Sequence, residues 1–594
     1  MMIREAVNKF LTRMMLLTER LSERQLMMIL AVVVGIVAGL ATFFFQWLLG
    51  GVEHILTSWF PVSKAGWLYL VYPAFGIIVA SIFVKYIIQD DISEGVTKVL
   101  YAMSKRGSII KPHNCYSSVV GGAMTIGFGG SVGPEAPIVL TGAAIGSNIG
   151  RILKLNYRNI TLMLSCGVAA ALAAIFKAPI TGVIFVMEIL MLDITMNAIV
   201  PLIISAVTST TLVFFLKGFD PILAVDVTGT FELAHLPMYL LLGGLGGLMA
   251  NYFTTFNGKV RDRIAALGRQ RKKWLYGGLA LGILVFLFPP LYGEGYGAFT
   301  SLMHGDTDTL FNNSLLYQFR DIDWVIIIYL TAIMFFKVIA MAVTNAAGGV
   351  GGTFAPSLFV GAFLGGTMAF ASNTWLGMDL PILSFSLVGM AGVMAGVMKA
   401  PLTSIFLIAE LSNGYELFVP LMLVASISFA ISYYMDPDSI YTKSLRKRNE
   451  LLTHNKDRSV LVFLNLEKLM ETDFTPISEN TTLRELLDHI AHKRRNIFPV
   501  LDDNGVLKGV VQLDDLRAHM FRPEKHGNTA DQYMIPPPDV IQRKESITGV
   551  LDKFESSQAW MLPVVDKDYH YLGFISKSRI LAAYREQLIE LSQE

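Results

Sequence analysis

The stretch GFGGSVGPEAPIVLTGAAIG, Gly127 to Gly146, places one carboxylate, Glu135, inside an otherwise uncharged, glycine-rich apolar segment. An ionisable group at membrane depth costs at least about 2.5–3.5 kcal/mol on insertion scales, so by default it lines a water-filled path or a binding site. Gly133 and Pro134 break the backbone ahead of it, and Pro137 suits the first turn of a new helix. Glu135 is therefore expected at a helix N-terminus, where free N–H groups attract anions. The motif reads as an anion site that carries its own anion.

A second stretch, AGGVGGTFAPSLFVGAFLG from Ala347 to Gly365, repeats the design: Gly352, Ala355, Pro356, Gly361 and Gly365 match Gly133, Ala136, Pro137, Gly142 and Gly146, with Phe354 in the place of Glu135. A further pair follows in the same order. KAPITGVIFVMEI after Phe176 runs parallel to KAPLTSIFLIAEL after Met398, so that Lys177, Pro179 and Glu188 correspond to Lys399, Pro401 and Glu410. Two motifs recurring in one order mean a duplicated membrane region. Duplicated halves with broken helices in corresponding positions mark transporters and channels that bind ions near the midplane, at the repeat interface.

At these residues the chain resembles the CLC family of chloride channels and chloride/proton exchangers. The resemblance rests on GPEAP at 133–137 for the family's G-[KR]-E-G-P, GGTFAP at 351–356 for its G-x-F-x-P, the two KAP segments, SNGYELFVP at 412–420, and Tyr441 in DSIYTKSL. It implies an all-α polytopic membrane fold of two inverted repeats with broken and re-entrant helices. Carried over residue by residue, it makes Glu135 the gating glutamate, whose ionised side chain competes with chloride. It also makes Gly133, Pro134, Gly352, Thr353, Phe354 and Tyr441 anion-site positions. For Tyr441, with Lys443 and Arg446 nearby, an interfacial anchor is the alternative reading.

Two places depart from the family. Where relatives carry a G-S-G-I-P-like loop, this chain has Ser93-Glu94-Gly95-Val96-Thr97, which puts Glu94 in the serine place. Either Ser93 shifts register to supply a hydroxyl to the anion, or the inner site is weakened by a fixed carboxylate. Exchangers of the family carry an inner proton glutamate next to the position of Glu188, and here Ile189 stands there, which cannot relay a proton. Glu188 itself reads as a structural residue at a helix end, and Lys177 and Lys399 as anion-attracting, capping or snorkelling lysines.

The composition agrees with a membrane protein: 594 residues, 53% hydrophobic and 16% charged, with mean hydropathy +0.52. A net charge of +1 selects no partner, and nucleic acid is not expected. Cys115 and Cys166 form no disulfide framework or metal cluster. Histidines are few and scattered, and no Walker loop or nucleophile elbow occurs, so no catalytic residue, metal site or enzymatic activity is expected.

In chain order, residues 1–25 read as an amphipathic cytoplasmic segment, 26–255 as membrane repeat 1, 256–274 as a basic cytoplasmic linker and 275–449 as membrane repeat 2. Several apolar segments are too short to cross a bilayer, which implies half-helices. Gly293 to Phe311 reads as an external loop. The positive charge ahead of the first span and in the linker argues for cytoplasmic termini in a plasma-membrane protein. From residue 450 the sequence turns polar. Short strands and an amphipathic helix occur twice, with Phe498-Pro499-Val500 and Leu562-Pro563-Val564 at equivalent places. This resembles a tandem α+β pair of CBS domains, 450–525 and 526–594. Asp515 is the ribose-binding acid such domains use, and Ser576 opens the equivalent place in the second domain, where Arg579 replaces the acid. An adenine nucleotide is the cofactor candidate and a structural, dimerising role its alternative.

The sequence thus reads as a homodimer in membrane lipid with one glutamate-gated pore per subunit for chloride or similar small anions. Helices near Ile180–Leu192 and Leu402–Leu423 would form the interface, as the resemblance implies. Ile189 favours passive, channel-like conduction; a chloride/proton antiporter with another proton route is the alternative. A CBS-regulated magnesium transporter is more remote, since it would need acidic pore residues without paired glycine loops.

Overall fold

The computed structural model describes residues 22–59, 67–191, 196–219, 223, 232–447, 466–492 and 495–592. Residues 1–21 of the expected amphipathic segment lie outside them. The chain divides into two units, 1–451 and 452–594.

The first unit is helical. It contains α1 (Glu23–Trp59), α2 (Leu68–Ile82), α3 (Gly95–Lys105), α4 (Ser117–Gly127), α5 (Glu135–Ile152), α6 (Tyr157–Phe176), α7 (Pro179–Glu188), α8 (Met196–Lys217) and α9 (Leu236–Ala265). There follow α10 (Gln270–Leu287), α11 (Tyr296–Met303), α12 (Thr307–Leu310), α13 (Asp323–Ala347), α14 (Phe354–Leu376), α15 (Ile382–Met398), α16 (Pro401–Leu411), α17 (Phe418–Met435) and α18 (Lys443–Lys447). Among the described residues, eight helices are long and apolar enough to cross a membrane. At 1.5 Å per residue, α7 and α16 reach only about 15 Å, half of a hydrocarbon core.

Packing defines the duplication. α5 lies on α6 as α14 lies on α15, and α1 packs on α8 as α9 packs on α17. At the first pair, a Cβ on Gly142 would strike the carbonyl of Gly167, and one on Gly361 would strike that of Gly389, so both repeats use glycine for backbone contact between helices. These pairings correct the expected boundary. α9 packs on α13, α15 and α17 and so opens the second repeat. The basic segment 256–274 is not a loop: α9 runs on to Ala265 and α10 begins at Gln270, with a tight turn at Gly268, φ +67°. Its charges misled the reading because a helix that leaves the apolar layer continues with a polar sequence and no break in backbone structure. Gly293–Phe311 likewise holds two short helices, α11 and α12, rather than a plain loop.

The KAP motifs are hairpins between helices. Lys177 and Lys399 adopt the left-handed conformation, φ +53° and +59°, that ends α6 and α15, and Pro179 and Pro401 open α7 and α16 one residue after the alanine. The exposed amides at these new N-termini are capped reciprocally. Glu188, ending α7, accepts from Leu402 N at 3.1 Å, Thr403 N at 2.8 Å and Thr403 Oγ1 at 2.7 Å. Glu410, in α16, accepts from Ile180 N at 3.0 Å, Thr181 N at 2.8 Å and Thr181 Oγ1 at 2.6 Å.

The second unit contains α19 (Leu466–Leu469), β1 (Ile477–Ser478), α20 (Leu483–His492), β2 (Ile497–Leu501), β3 (Leu507–Gln512), α21 (Leu513–Leu516), β4 (Ile541–Gln542), α22 (Ile547–Ser557), β5 (Met561–Val565), β6 (Tyr571–Ser576) and α23 (Lys577–Ser592). Two identical sheets result, order β1-β2-β3 and β4-β5-β6, each with one parallel and one antiparallel pair. Both hairpins turn on an aspartate. Asp502 accepts from the amides of Asn504 and Val506, and Asp566 from those of Asp568 and His570, which holds both carboxyls below their ordinary range. The hairpins clasp through Leu507 N to Tyr569 O at 3.0 Å and Tyr571 N to Gly505 O at 3.2 Å.

Because each carboxylate satisfies two helix-terminal amides and a hydroxyl, Glu188→Ala and Glu410→Ala are expected to destabilise the protein by about 1–2 kcal/mol each. Thermal unfolding of the detergent-solubilised protein measures this. Equal losses at the two positions are expected from their matched geometry, with Glu→Gln milder than Glu→Ala at each.

Candidate anion site

The site is built where the two broken-helix loops meet. Gly133 N donates to Gly352 O at 3.0 Å, and Gly352 N donates to Gly133 O at 2.7 Å. This two-bond bridge sets α5 and α14, which begin two residues further on, with their N-termini together. The amides of Gly133 and Gly352 are thereby committed to each other, and Pro134 has no N–H. Of these expected anion positions, none offers a free donor; they shape the site instead.

Glu135 is the first residue of α5. Its side chain crosses to the other repeat, where Oε1 accepts the amide of Phe354, the first residue of α14, at 2.5 Å. The carboxylate is 1% exposed, and Oε2 has no hydrogen-bond partner among the described residues. An anion and this side chain cannot occupy the α14 terminus at once. A Cβ on Gly133 or on Gly352 would collide with the carboxylate, so both positions need glycine for its passage. Phe354, the repeat counterpart of Glu135, has no charge to return; its ring stacks on Phe176 at 5.0 Å and tilts against Phe185 at 6.4 Å.

Tyr441 joins the site from the far end of the unit. Thr353 Oγ1 lies 3.4 Å from its hydroxyl, and Thr97 Oγ1 donates to its carbonyl at 3.3 Å. Gly352, Thr353 and Tyr441 line one pocket together with Ser93, Glu94, Asn257, Arg261 and Asn345. Buried there, Tyr441 is no interfacial anchor. The Ser93 hydroxyl is spent on Asp91 Oδ1 at 2.6 Å, while Glu94 reaches Arg261 at 2.8 Å.

The lysines of the KAP motifs serve nearby polar groups: Lys177 Nζ donates to Gly218 O at 3.0 Å, and Lys399 Nζ to Ser432 Oγ at 2.5 Å. Sequence reading missed Lys337. It is fully buried in α13, donates to Gly293 O at 2.9 Å and sits 4.7 Å over the ring of Phe359. Its signal was the same as that of Glu135, a charge inside an apolar span. It fixes the turn Tyr292–Gly295, whose tyrosine ring packs on Gly129 just ahead of the Gly133–Glu135 loop.

In the second unit, Ser576 Oγ donates to Glu471 Oε1 at 2.7 Å and accepts from Arg579 N at 3.2 Å. Glu471 is held in turn by Arg495 at 2.7 Å. Asp515 is exposed in α21.

Paired broken helices around a buried carboxylate define a multi-pass membrane transport protein, not an enzyme. The chain belongs to the CLC family: residues 75–433 match the family described as "Voltage gated chloride channel", and residues 466–522 and 530–586 each match the CBS domain. It is similar to a "Putative chloride channel protein ClcB-like" of Ralstonia nicotianae, 28% identical over 453 residues, 72% of this chain and 98% of the relative. It is also similar to an "H(+)/Cl(-) exchange transporter ClcA" of Vibrio cholerae, 26% identical over 469 residues, 76% of this chain and 92% of the relative. Among solved structures, a slow cyanobacterial Cl-/H+ antiporter shares the fold at TM-score 0.60 and 23% identity, covering 73% of this chain and all of that one. A eukaryotic CLC transporter does so at TM-score 0.60 and 18% identity, covering 94% and 99%.

Gly352→Ala is expected to destabilise the protein by about 1–3 kcal/mol through overpacking against the Glu135 carboxylate. Removing the obstacle should rescue it. A double-mutant cycle with Glu135→Ala, read by thermal unfolding, should show a coupling of at least about 1 kcal/mol.

Proposed function

We propose that the protein passes chloride or a similar small anion across a membrane, gated by Glu135. The observation that carries this reading is the Glu135 carboxylate on the Phe354 amide, which is where an anion would bind. Protonation or displacement of the carboxylate frees the α14 N-terminus for the anion. Passive, channel-like conduction is the first reading. Ile189 is buried and apolar, and Glu188 is spent on the α16 amides, which leaves that stretch without a side chain to relay protons. Chloride/proton exchange is the second reading, supported by the named activities of relatives such as the Vibrio protein.

We place the protein in the plasma membrane as a homodimer, with both termini and the basic 256–274 segment cytoplasmic. Ile180 and Leu402, 42% and 53% exposed, are the outward residues on α7 and α16, whereas Ile405 is only 4% exposed and faces inward. For the CBS pair we favour a bracing role. Ser576 is held by Glu471, whose charge would repel a nucleotide phosphate; an adenine nucleotide on Asp515 is the alternative.

A hydrogen bond to a charged group is worth about 1.5–3 kcal/mol, so neutralising the carboxylate should favour the anion about 10- to 100-fold. Glu135→Gln in liposomes is accordingly expected to raise passive chloride flux and abolish its dependence on pH. Wild-type rate and pH response in that variant would remove Glu135 as the gate. In the same liposomes, a chloride gradient is expected to drive no uphill proton movement. Sustained proton pumping that Glu135→Gln abolishes would establish exchange instead.

A further inference from the structure

The ion pair of Glu94 with Arg261 lies in the pocket that also holds Gly352, Thr353 and Tyr441. Glu94 occupies the N-cap position of α3, but its side chain caps nothing there. It turns instead across the pocket to the guanidinium of Arg261, on α9, with Oε1 at 2.8 Å from Nη1. The two side chains are 43% and 45% exposed, so solvent reaches both. Two amides line the same pocket, Asn257 and Asn345, and Asn345 Oδ1 is buried without a hydrogen-bond partner among the described residues.

The arrangement repeats the logic of the central gate with different groups. At the centre, a carboxylate sits on a helix-terminal amide that would otherwise bind an anion. At the mouth, a carboxylate sits on a guanidinium, which is always charged, presents five N–H donors and would otherwise bind an anion. Left alone, Glu94 would repel an arriving anion across a few ångströms. Paired, it is neutralised, and so is Arg261. Exposed ion pairs of this kind hold weakly, so the pair opens readily and the guanidinium is available for exchange.

We propose that Glu94 and Arg261 form a second gate at the mouth of the anion path, in which an incoming anion displaces Glu94 from Arg261 before passing Tyr441 toward the α14 N-terminus. The proposal rests on the anion-transport reading. A carboxylate in this loop then meters access to the inner site instead of weakening it.

The test uses the full-length protein with chloride as the probe, measured by calorimetric titration in detergent and by flux in liposomes. Arg261→Gln leaves Glu94 unpaired and is expected to weaken chloride binding about tenfold or more and slow flux. Glu94→Gln frees Arg261 and is expected to tighten binding at least about threefold. The double variant should return close to the wild-type affinity, and Arg261→Lys should retain most of it, which a merely structural bridge would not require. If Arg261→Gln fails to fold, Glu94→Gln and Arg261→Lys still decide the matter. Chloride affinity and flux within twofold of wild type in every folded variant would overturn the second gate. Should the wild-type protein itself neither bind nor pass chloride, the transport reading fails first; should it respond to Glu135→Gln while the Glu94 and Arg261 variants are inert, only the second gate fails.

Discussion

Two hydrogen bonds between Gly133 and Gly352 organise the membrane unit. Irregular backbone at membrane depth survives only where its polar groups are satisfied within the protein or by water in a cavity. Here each broken-helix loop satisfies the other, and the bridge holds the starts of α5 and α14 side by side. The rest follows from that distance. A glutamate at the first position of α5 then reaches the first amide of α14, and only glycine at 133 and 352 leaves room for its carboxylate.

The duplication is nearly symmetric in its structural residues and asymmetric in its functional ones. Glu188 and Glu410 each cap the helix that carries the other with almost the same three distances, and Lys177 and Lys399 end α6 and α15 in the same left-handed turn. At the centre, however, Glu135 faces Phe354. A carboxylate in both places would set two like charges close together in a dry site, which is unfavourable. The aromatic ring fills the space on one side and leaves a single charge at the centre. A structure built from two equal halves thereby acquires the one gate that we propose.

Charges in this unit sort by what surrounds them. Glu188, Glu410, Lys177 and Lys337 each meet backbone groups that need a partner, so they stabilise helix ends and turns. Glu135 differs because one of its two oxygens has no partner among the described residues, and Glu94 because its partner is a cation open to solvent. Incomplete or weak satisfaction leaves a side chain free to move, which the proposed gates require and capping does not.

The amino-acid sequence by itself determined that the membrane region is a duplication, because the paired glycine and KAP motifs recur at matching offsets. It also singled out Glu135, because a lone charge in an apolar glycine-rich run has few structural explanations. It showed a two-part C-terminal unit through the repeated Phe-Pro-Val and Leu-Pro-Val strands. Only the tertiary structure decided where the second repeat opens, since the basic tail of α9 hides the continuity of a helix that begins at Leu236. Only it decided that Glu135 crosses to the other repeat, that Gly133 and Gly352 spend their amides on each other, and that Glu94 finds Arg261. Each of these joins residues more than 130 positions apart, and a local pattern carries no information about a partner that the fold brings in from elsewhere. The same limit hid Lys337, whose charge was visible but whose acceptor, the Gly293 carbonyl, exists only once α13 and the preceding turn are packed together.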